Sequence, residues 1–489
     1  MAVIATILIY FAVLLGVSRW TGRKATNDTF FRGERRSPWP MVAFGMVGAS
    51  ISGVSFVSVP GMVLSSQMTY LQLCLGFILG YLAVAFVLLP VYYRLRLTSI
   101  YSLLGQRLGR NSYVTGAGFF LLSKLMSTAV KFYVVCLLMQ QFVMQPLGVP
   151  FFVTTTILIA LIWLYTRKGG VRTLVFTDSI QTLSLFSALV LIIFIVMSQM
   201  GLSPLEAIQT VWGDERSTVF VFSDWGSPQN FWKMLLSGAF IVVVMTGLDQ
   251  DMMQKNLTCR TLREAQKNMC TYGMAFLPAN LLFLALGVLL AIMIQAIGMP
   301  LPLHGDELLT TFVGNADAFG LTETTSTLLL VLFTLGLVAS SFSSADSALT
   351  SLTTSYCVDI RQSPDNESLR KRTHLAMCAL LVVAISVIRV VNSTSLIDTI
   401  YTIVSYTYGP LLGLFAFSLF TARKVHDRLV PVVCAASPLL CLGIESLSRQ
   451  LWDYRFGYEL LMLNGTLTFL GLLIIQLSQA PVGGIYRDL

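Results

Sequence analysis

The chain has 489 residues, 55% of them hydrophobic and 11% charged, with a net charge of +8 and a mean hydropathy of +0.75. A water-soluble protein carries about 25% charged residues, so an ordinary soluble domain is excluded. The excess base lies in short loops between apolar runs, which argues against a nucleic-acid surface and for an integral membrane protein.

Apolar runs of about twenty residues, enough to cross a bilayer, recur along the chain. In order they predict helices near 2–20, 40–65, 69–93, 114–143, 150–166, 174–200 and 230–252. Further helices are expected near 271–296, 324–356, 375–391, 397–421, 429–448 and 459–478. The expectation is an all-α polytopic membrane protein with about thirteen spans. The first run is followed, not preceded, by Arg19, Arg23 and Lys24. That is the reverse of a secretory signal, so it reads as a retained helix.

Alternate connections are basic. One set holds Arg32, Arg35 and Arg36, then Arg94, Arg96, Arg107 and Arg110, then Arg167, Lys168 and Arg172. It continues with Lys255, Arg260, Arg263 and Lys267, then Arg370, Lys371 and Arg372, then Arg423, Lys424 and Arg428. The opposite loops hold only Arg216, Lys233, Arg389, Arg449 and Arg455. Basic loops stay cytoplasmic. The expected placement is a plasma (inner) membrane with the N-terminus outside and the C-terminus inside. The eight cysteines fall in predicted helices or cytoplasmic loops without zinc-site spacing and read as packing residues.

Two predicted helices are interrupted. One carries Gly45-Met46-Val47-Gly48-Ala49-Ser50-Ile51-Ser52-Gly53, the other Thr246-Gly247-Leu248-Asp249-Gln250. They open two groups of five helices, 40–200 and 230–421, which start on opposite sides of the membrane. Inverted repeats led by broken helices expose backbone carbonyls near the midplane. The flanks, 1–39 (an extra helix and inner loop) and 429–489 (two extra helices and a tail), belong to the same single transmembrane domain, 1–489.

Polar residues inside apolar helices mark the candidate site. Ser340, Ser343, Ser344 and Ser347 share one helical stripe, with Asp346 beside them and Asp178 in Thr177-Asp178-Ser179. Oxygen-rich ligands suit hard cations, so a buried cation site is expected. The rival reading is serines bonding back to their own helix and easing close packing. Asp178 is a costly intramembrane carboxylate, serving either an ion or an interhelical hydrogen bond. Lys124, Ser127, Thr128 and Lys131 form another stripe, with Lys131 too deep to snorkel easily. The three histidines, His304, His374 and His426, are placed in loops. No phosphate loop or intramembrane nucleophile–base pairing is present, so neither an enzyme nor an ATP-driven pump is expected.

Six segments in order resemble the sodium/solute symporter family, here counting the 2–20 helix as zero. Phe31-Arg32-Gly33-Glu34-Arg35-Arg36-Ser37-Pro38-Trp39 leads into the broken helix and Val59-Pro60-Gly61. Leu97-Thr98-Ser99-Ile100-Tyr101-Ser102-Leu103-Leu104-Gly105-Gln106-Arg107-Leu108-Gly109 is similar to the family's amphipathic inner loop. Gly169-Gly170-Val171-Arg172-Thr173, with Thr177-Asp178-Ser179-Ile180-Gln181, resembles its fifth helix. Asp249-Gln250 with Gln254-Lys255 resembles the inner end of helix six, and Ser343-Ser344-Ala345-Asp346-Ser347 the sodium signature of helix eight. Tyr408-Gly409-Pro410-Leu411-Leu412-Gly413-Leu414-Phe415 resembles helix ten.

The resemblance implies a LeuT-like five-plus-five fold and sodium-driven uptake of a small organic solute or anion. Carried over, the main sodium site takes carbonyls of Gly48, Ile51 and Ser340 and hydroxyls of Ser343 and Ser344. A candidate second site takes Asp178, Ser343, Asp346 and Ser347, although Asp346 departs from members with serine there. Lys131, and less directly Lys124, would meet a substrate carboxylate; Asp178 or Asp346 could instead pair with Lys131. Ser50, Ser52, Ser55 and Gln72 are further substrate contacts by position, with Asp249 and Gln250 on the inner side. Met252 stands where sugar-transporting members place an inner-gate tyrosine, which speaks against a simple sugar. Tyr406 and Tyr408 are candidate outer-gate aromatics, with interfacial anchoring as the rival.

The expected function is a sodium-coupled secondary active symporter working by alternating access, with a carboxylate or sugar acid preferred as substrate. Its partners would be that small organic solute, one or two sodium ions and the lipid bilayer; neither nucleic acid nor an obligate protein partner is implied. Proton coupling through Asp178 and Asp346 is one alternative. A transporter-like membrane sensor is the other, although such proteins usually add a cytoplasmic kinase and this chain ends soon after its last predicted helix.

Overall fold

The computed structural model describes residues 2–23, 25–391, 396–454 and 456–477. Lys24 and Arg455, two of the loop charges counted above, lie outside them, as does the tail after Gln479. Among the described residues the chain is helical, with two isolated bridges, Ser37 to Cys259 and Val425 to Gln476, as its β features.

The principal helices begin with α1 (Ala2–Thr21), α2 (Trp39–Ser50) and α3 (Gly53–Gly61). Next come α4 (Tyr70–Ala83), continued through a widened turn into α5 (Leu89–Arg94), then α6 (Arg110–Met139), α7 (Phe151–Thr166) and α8 (Val171–Gln199). The second half holds α9 (Phe231–Val242), α10 (Gln250–Asn256), α11 (Leu262–Ala296) and α12 (Glu323–Ser355). It closes with α13 (Glu367–Val391), α14 (Leu396–Phe420), α15 (Val430–Trp452) and α16 (Leu460–Ile474).

Among the described residues nine helical runs are long and apolar enough to cross a membrane, and the pair α9–α10, bent by 69°, makes a tenth. Thirteen is therefore not confirmed as a count. The break after Ser50 leaves α2 only 12 residues, and α7 and α16 have 16 and 15. Residues such as Leu8, Ile9, Leu183, Phe194, Val432 and Leu439 point outward from the bundle. Hydrocarbon would satisfy them, because helices leave no backbone polar group unpaired toward lipid.

Both predicted breaks are present. Ile51 (φ −84°, ψ 90°) and Ser52 (φ −75°, ψ 170°) are extended between α2 and α3. Leu248 and Asp249 interrupt the second, where the Asp249 carboxylate caps α10 by accepting from the N–H groups of Asp251 (2.8 Å) and Met252 (3.4 Å). Glycine makes the close packing around the first break feasible. A Cβ on Gly48 would collide with the Thr182 side chain on α8, and one on Gly287 of α11 with the Pro60 carbonyl of α3. Thus α8 lies along both α2 and α12, while α3 runs between α11 and α12.

One sequence expectation fails here. His374 is not in a loop; it is buried in α13, with its ring nitrogens 3.0 Å from Thr353 Oγ1 and 2.9 Å from Thr166 Oγ1. The helix starts at Glu367, earlier than hydropathy suggests, because its first two turns are polar yet helical.

Candidate ion and substrate site

The serine stripe of α12 meets the first break. Ser344 Oγ donates to the Ala49 carbonyl (2.8 Å) and contacts the Ser340 carbonyl at 3.3 Å. Ser343 Oγ donates to Asp178 Oδ1 on α8 at 2.8 Å. The stripe therefore joins three elements, as a site between broken helix and serines requires. Gly48 lies one residue before and Ile51 two residues after Ala49, whose carbonyl Ser344 reaches, and Ala49 is the contact the sequence did not single out. The Ser340 hydroxyl follows the rival reading, bonding back to Gly336 and Leu337 carbonyls at 2.8 and 3.1 Å.

Two carboxylates lie beside this junction. Asp346 Oδ2 accepts from the Tyr165 hydroxyl at 2.6 Å, and Oδ1 from Ser347 Oγ at 3.2 Å. Asp178 Oδ2 is 2.7 Å from Lys255 Nζ, with the two side chains 1% and 2% exposed. Lys255 was counted above with the cytoplasmic loop charges; it is instead on α10 and turned into the protein. The bend at Leu248 redirects the end of this span inward. Gln254 holds that orientation, donating to the Phe31 carbonyl (2.8 Å) and Thr354 Oγ1 (2.9 Å).

A cavity opens beside the first break, lined by Ser50, Ser52, Ser55, Lys124, Lys131, Asp249, Asp251, Ser344 and Tyr408 among others. Lys124 Nζ sits 3.1 Å from Asp249 Oδ2 and 2.6 Å from Asp251 Oδ2. The Tyr408 hydroxyl donates to the same Asp249 oxygen at 2.6 Å. These groups neutralise one another at one end of the cavity. Lys131 differs. It lines the cavity and an adjoining crevice with Ser52, Thr128 and Ser344, and it has no hydrogen-bond or ion-pair partner among the described residues. The pairing with Asp178 or Asp346 considered above does not form, since Lys255 and Tyr165 hold those carboxylates.

Several expected contacts lie elsewhere. Gln72 accepts from the Val221 N–H (3.1 Å) and donates to the Gln229 carbonyl (2.9 Å); it braces a loop. Gln250 accepts from the Ile100 N–H and donates to the Thr98 carbonyl, both at 3.0 Å, tying α10 to the loop before α6. Neither amide is on the cavity wall. Tyr406 bonds to Glu445 of α15, away from the cavity. Tyr408 reaches the cavity at its Asp249 end, where it closes against the second break. Asp251 and Tyr272, the latter hydrogen-bonded to Ser50 and to Tyr81 (2.8 Å), were missed. Asp251 follows Asp249 and Gln250 directly, so its charge was visible in the sequence; Tyr272 left no signal.

Two interrupted helices, facing each other across a charged cavity inside an apolar bundle, define a LeuT-like membrane transporter. A solved structure of a Na+-coupled sialic acid symporter, in a substrate-bound outward-open state, has the same fold. The TM-score is 0.82 over 99% of each chain at 19% identity. The model of the Sodium:solute symporter family matches residues 30–427, and the chain belongs to that family. It is 24% identical to the sodium/sialic acid symporter SiaT of Proteus mirabilis (strain HI4320), over 94% of this chain and 92% of that one. It is 25% identical to the Homo sapiens sodium/iodide cotransporter over 52% of this chain, a match spanning 40% of the human protein's length.

Proposed function

We propose that this protein is a sodium-driven symporter that carries a small organic anion, a carboxylate such as a sugar acid, across a plasma membrane. The observation behind the anion is Lys131: a cavity-lining ammonium with no partner among the described residues, beside the serines of the first break. An ammonium in a low-dielectric wall needs a counter-charge, and a bound carboxylate supplies it. Sialic acid, named for two symporters that match 94% and 88% of this chain, is itself an acid, whereas the Homo sapiens sodium/glucose cotransporter 4, matched over 98% of this chain, is named for a sugar.

Sodium would bind where the α2–α3 break faces α12, on carbonyls of Gly48, Ile51 and Ser340 and hydroxyls of Ser343 and Ser344. Once there, it ties the break to α12 and fixes Ser52 and Ser55 for the substrate. The Lys124–Asp249–Asp251–Tyr408 cluster closes the opposite end of the cavity. Release follows when that cluster parts and the repeats 40–200 and 230–421 rock against each other. Thirteen crossings, with the N-terminus outside and the C-terminus cytoplasmic, fit the loop charge bias.

The test begins with a thermal-shift screen of acids, sugars and amino acids on purified protein, with and without sodium. Uptake of the hits into proteoliposomes is then compared in sodium and in choline at fixed pH. We expect acids to stabilise the protein in sodium and uptake to require sodium. Equal uptake in choline overturns sodium coupling and favours protons moving through Asp178 and Asp346.

A further inference from the structure

We infer that the Lys255 ammonium acts as a tethered cation in the place a second sodium ion would take beside Asp178, so that one sodium binds per chain. This inference rests on the sodium-symport reading above and sharpens its stoichiometry.

Every side-chain oxygen of the candidate second site already has a partner. Asp178 Oδ1 accepts from Ser343 Oγ at 2.8 Å, and Asp178 Oδ2 faces Lys255 Nζ at 2.7 Å. Asp346 holds the Tyr165 and Ser347 hydroxyls at 2.6 and 3.2 Å. An ammonium is a compact unit positive charge, electrically equivalent to the sodium it would replace. The pair is sealed from water, with exposures of 1% and 2%, so sodium could reach Asp178 only by expelling Lys255 into an apolar interior. That exchange would strand a buried charge. The ammonium is also held in place: α10 is fixed through Gln254 to Phe31 and Thr354, and through Gln250 to residues 98 and 100. At the main site, by contrast, the Ser344 hydroxyl bonds among the described residues to neutral carbonyls, Ala49 and Ser340, and can turn its oxygen toward an arriving ion. The second broken helix thus contributes a fixed positive charge to α8, where a mobile ion would otherwise bridge α8 and α12.

Equilibrium binding of radioactive sodium to the purified full chain, at ionic strength held constant with choline, tests this. The wild type should saturate at one ion with a Hill coefficient near one. Lys255→Met should saturate at two, and Lys255→Met with Asp178→Asn should return to one. Lys255→Arg, which keeps the charge, should stay at one. Two ions in the wild type, or one in Lys255→Met, overturns the inference while leaving sodium symport intact. No saturable binding in the wild type overturns the symport reading itself. If Lys255→Met does not fold, the wild-type count decides, and the neutral double variant supplies the folded comparison.

Discussion

Replacing Ser343 and Ser344 together by alanine tests how sodium and solute are coupled. Ser344 donates to the Ala49 carbonyl at 2.8 Å, a neutral hydrogen bond worth about 1 kcal/mol. Ser343 donates to the Asp178 carboxylate at 2.8 Å, a charge-assisted bond worth about 1.5–3 kcal/mol. Together the hydroxyls supply roughly 2.5–4 kcal/mol between α12, the first break and α8, and they are also proposed ligands of the ion. Coupling between two bound ligands is typically about 1–3 kcal/mol, or roughly 5- to 150-fold in affinity, so these contacts are large enough to carry all of it. In proteoliposomes, with sodium replaced stepwise by choline, sodium should lower the wild-type KM by roughly 5- to 150-fold. In Ser343→Ala/Ser344→Ala the gain should fall below about twofold, because little coupling free energy remains. Ser341→Ala is the control: its hydroxyl bonds back to the Leu337 carbonyl at 2.6 Å, so its removal should leave the sodium gain intact. A double variant that keeps the full sodium effect refutes the assignment.

Other substitutions probe the cavity and its frame. Lys131→Met should raise the KM for the transported acid by roughly 10- to 150-fold with kcat within about twofold, the loss of one charged hydrogen bond; an unchanged KM would remove Lys131 from the substrate site. Lys124→Met leaves Asp249 and Asp251 without their shared cation and should destabilise the protein by about 3–5 kcal/mol, seen as a lower melting temperature that Asp251→Asn partly restores. Gly287→Val should also lower the melting temperature, by overpacking worth about 1–3 kcal/mol, because its side chain would enter the Pro60 carbonyl; a wild-type melting curve would show that α3 and α11 are not so close. If one sodium accompanies one monovalent acid, transport should be electroneutral, and uptake should not respond to a potassium-diffusion potential in the wild type.

The class, the two breaks and the serine junction are legible in the order of residues alone. Hydrocarbon leaves an apolar run few choices besides helix, so recurring runs report helices directly. Gly45 through Gly53 and Thr246 through Gln250 announce interruptions by local chemistry, and Ser340, Ser343, Ser344 and Ser347 fall on one stripe by their i, i+3, i+4, i+7 spacing. Tertiary structure decided which side chains meet. Lys255 looks like a loop charge until the 69° bend carries α10 back inside, where it faces Asp178. Gln72 and Gln250 turn away from the cavity, and their amides satisfy loop backbone instead. Lys124 and Lys131 occupy the same stripe, yet only the fold brings two aspartates to one and none to the other. Bend angle and helix rotation come from packing between segments far apart in the chain, and no local pattern encodes them.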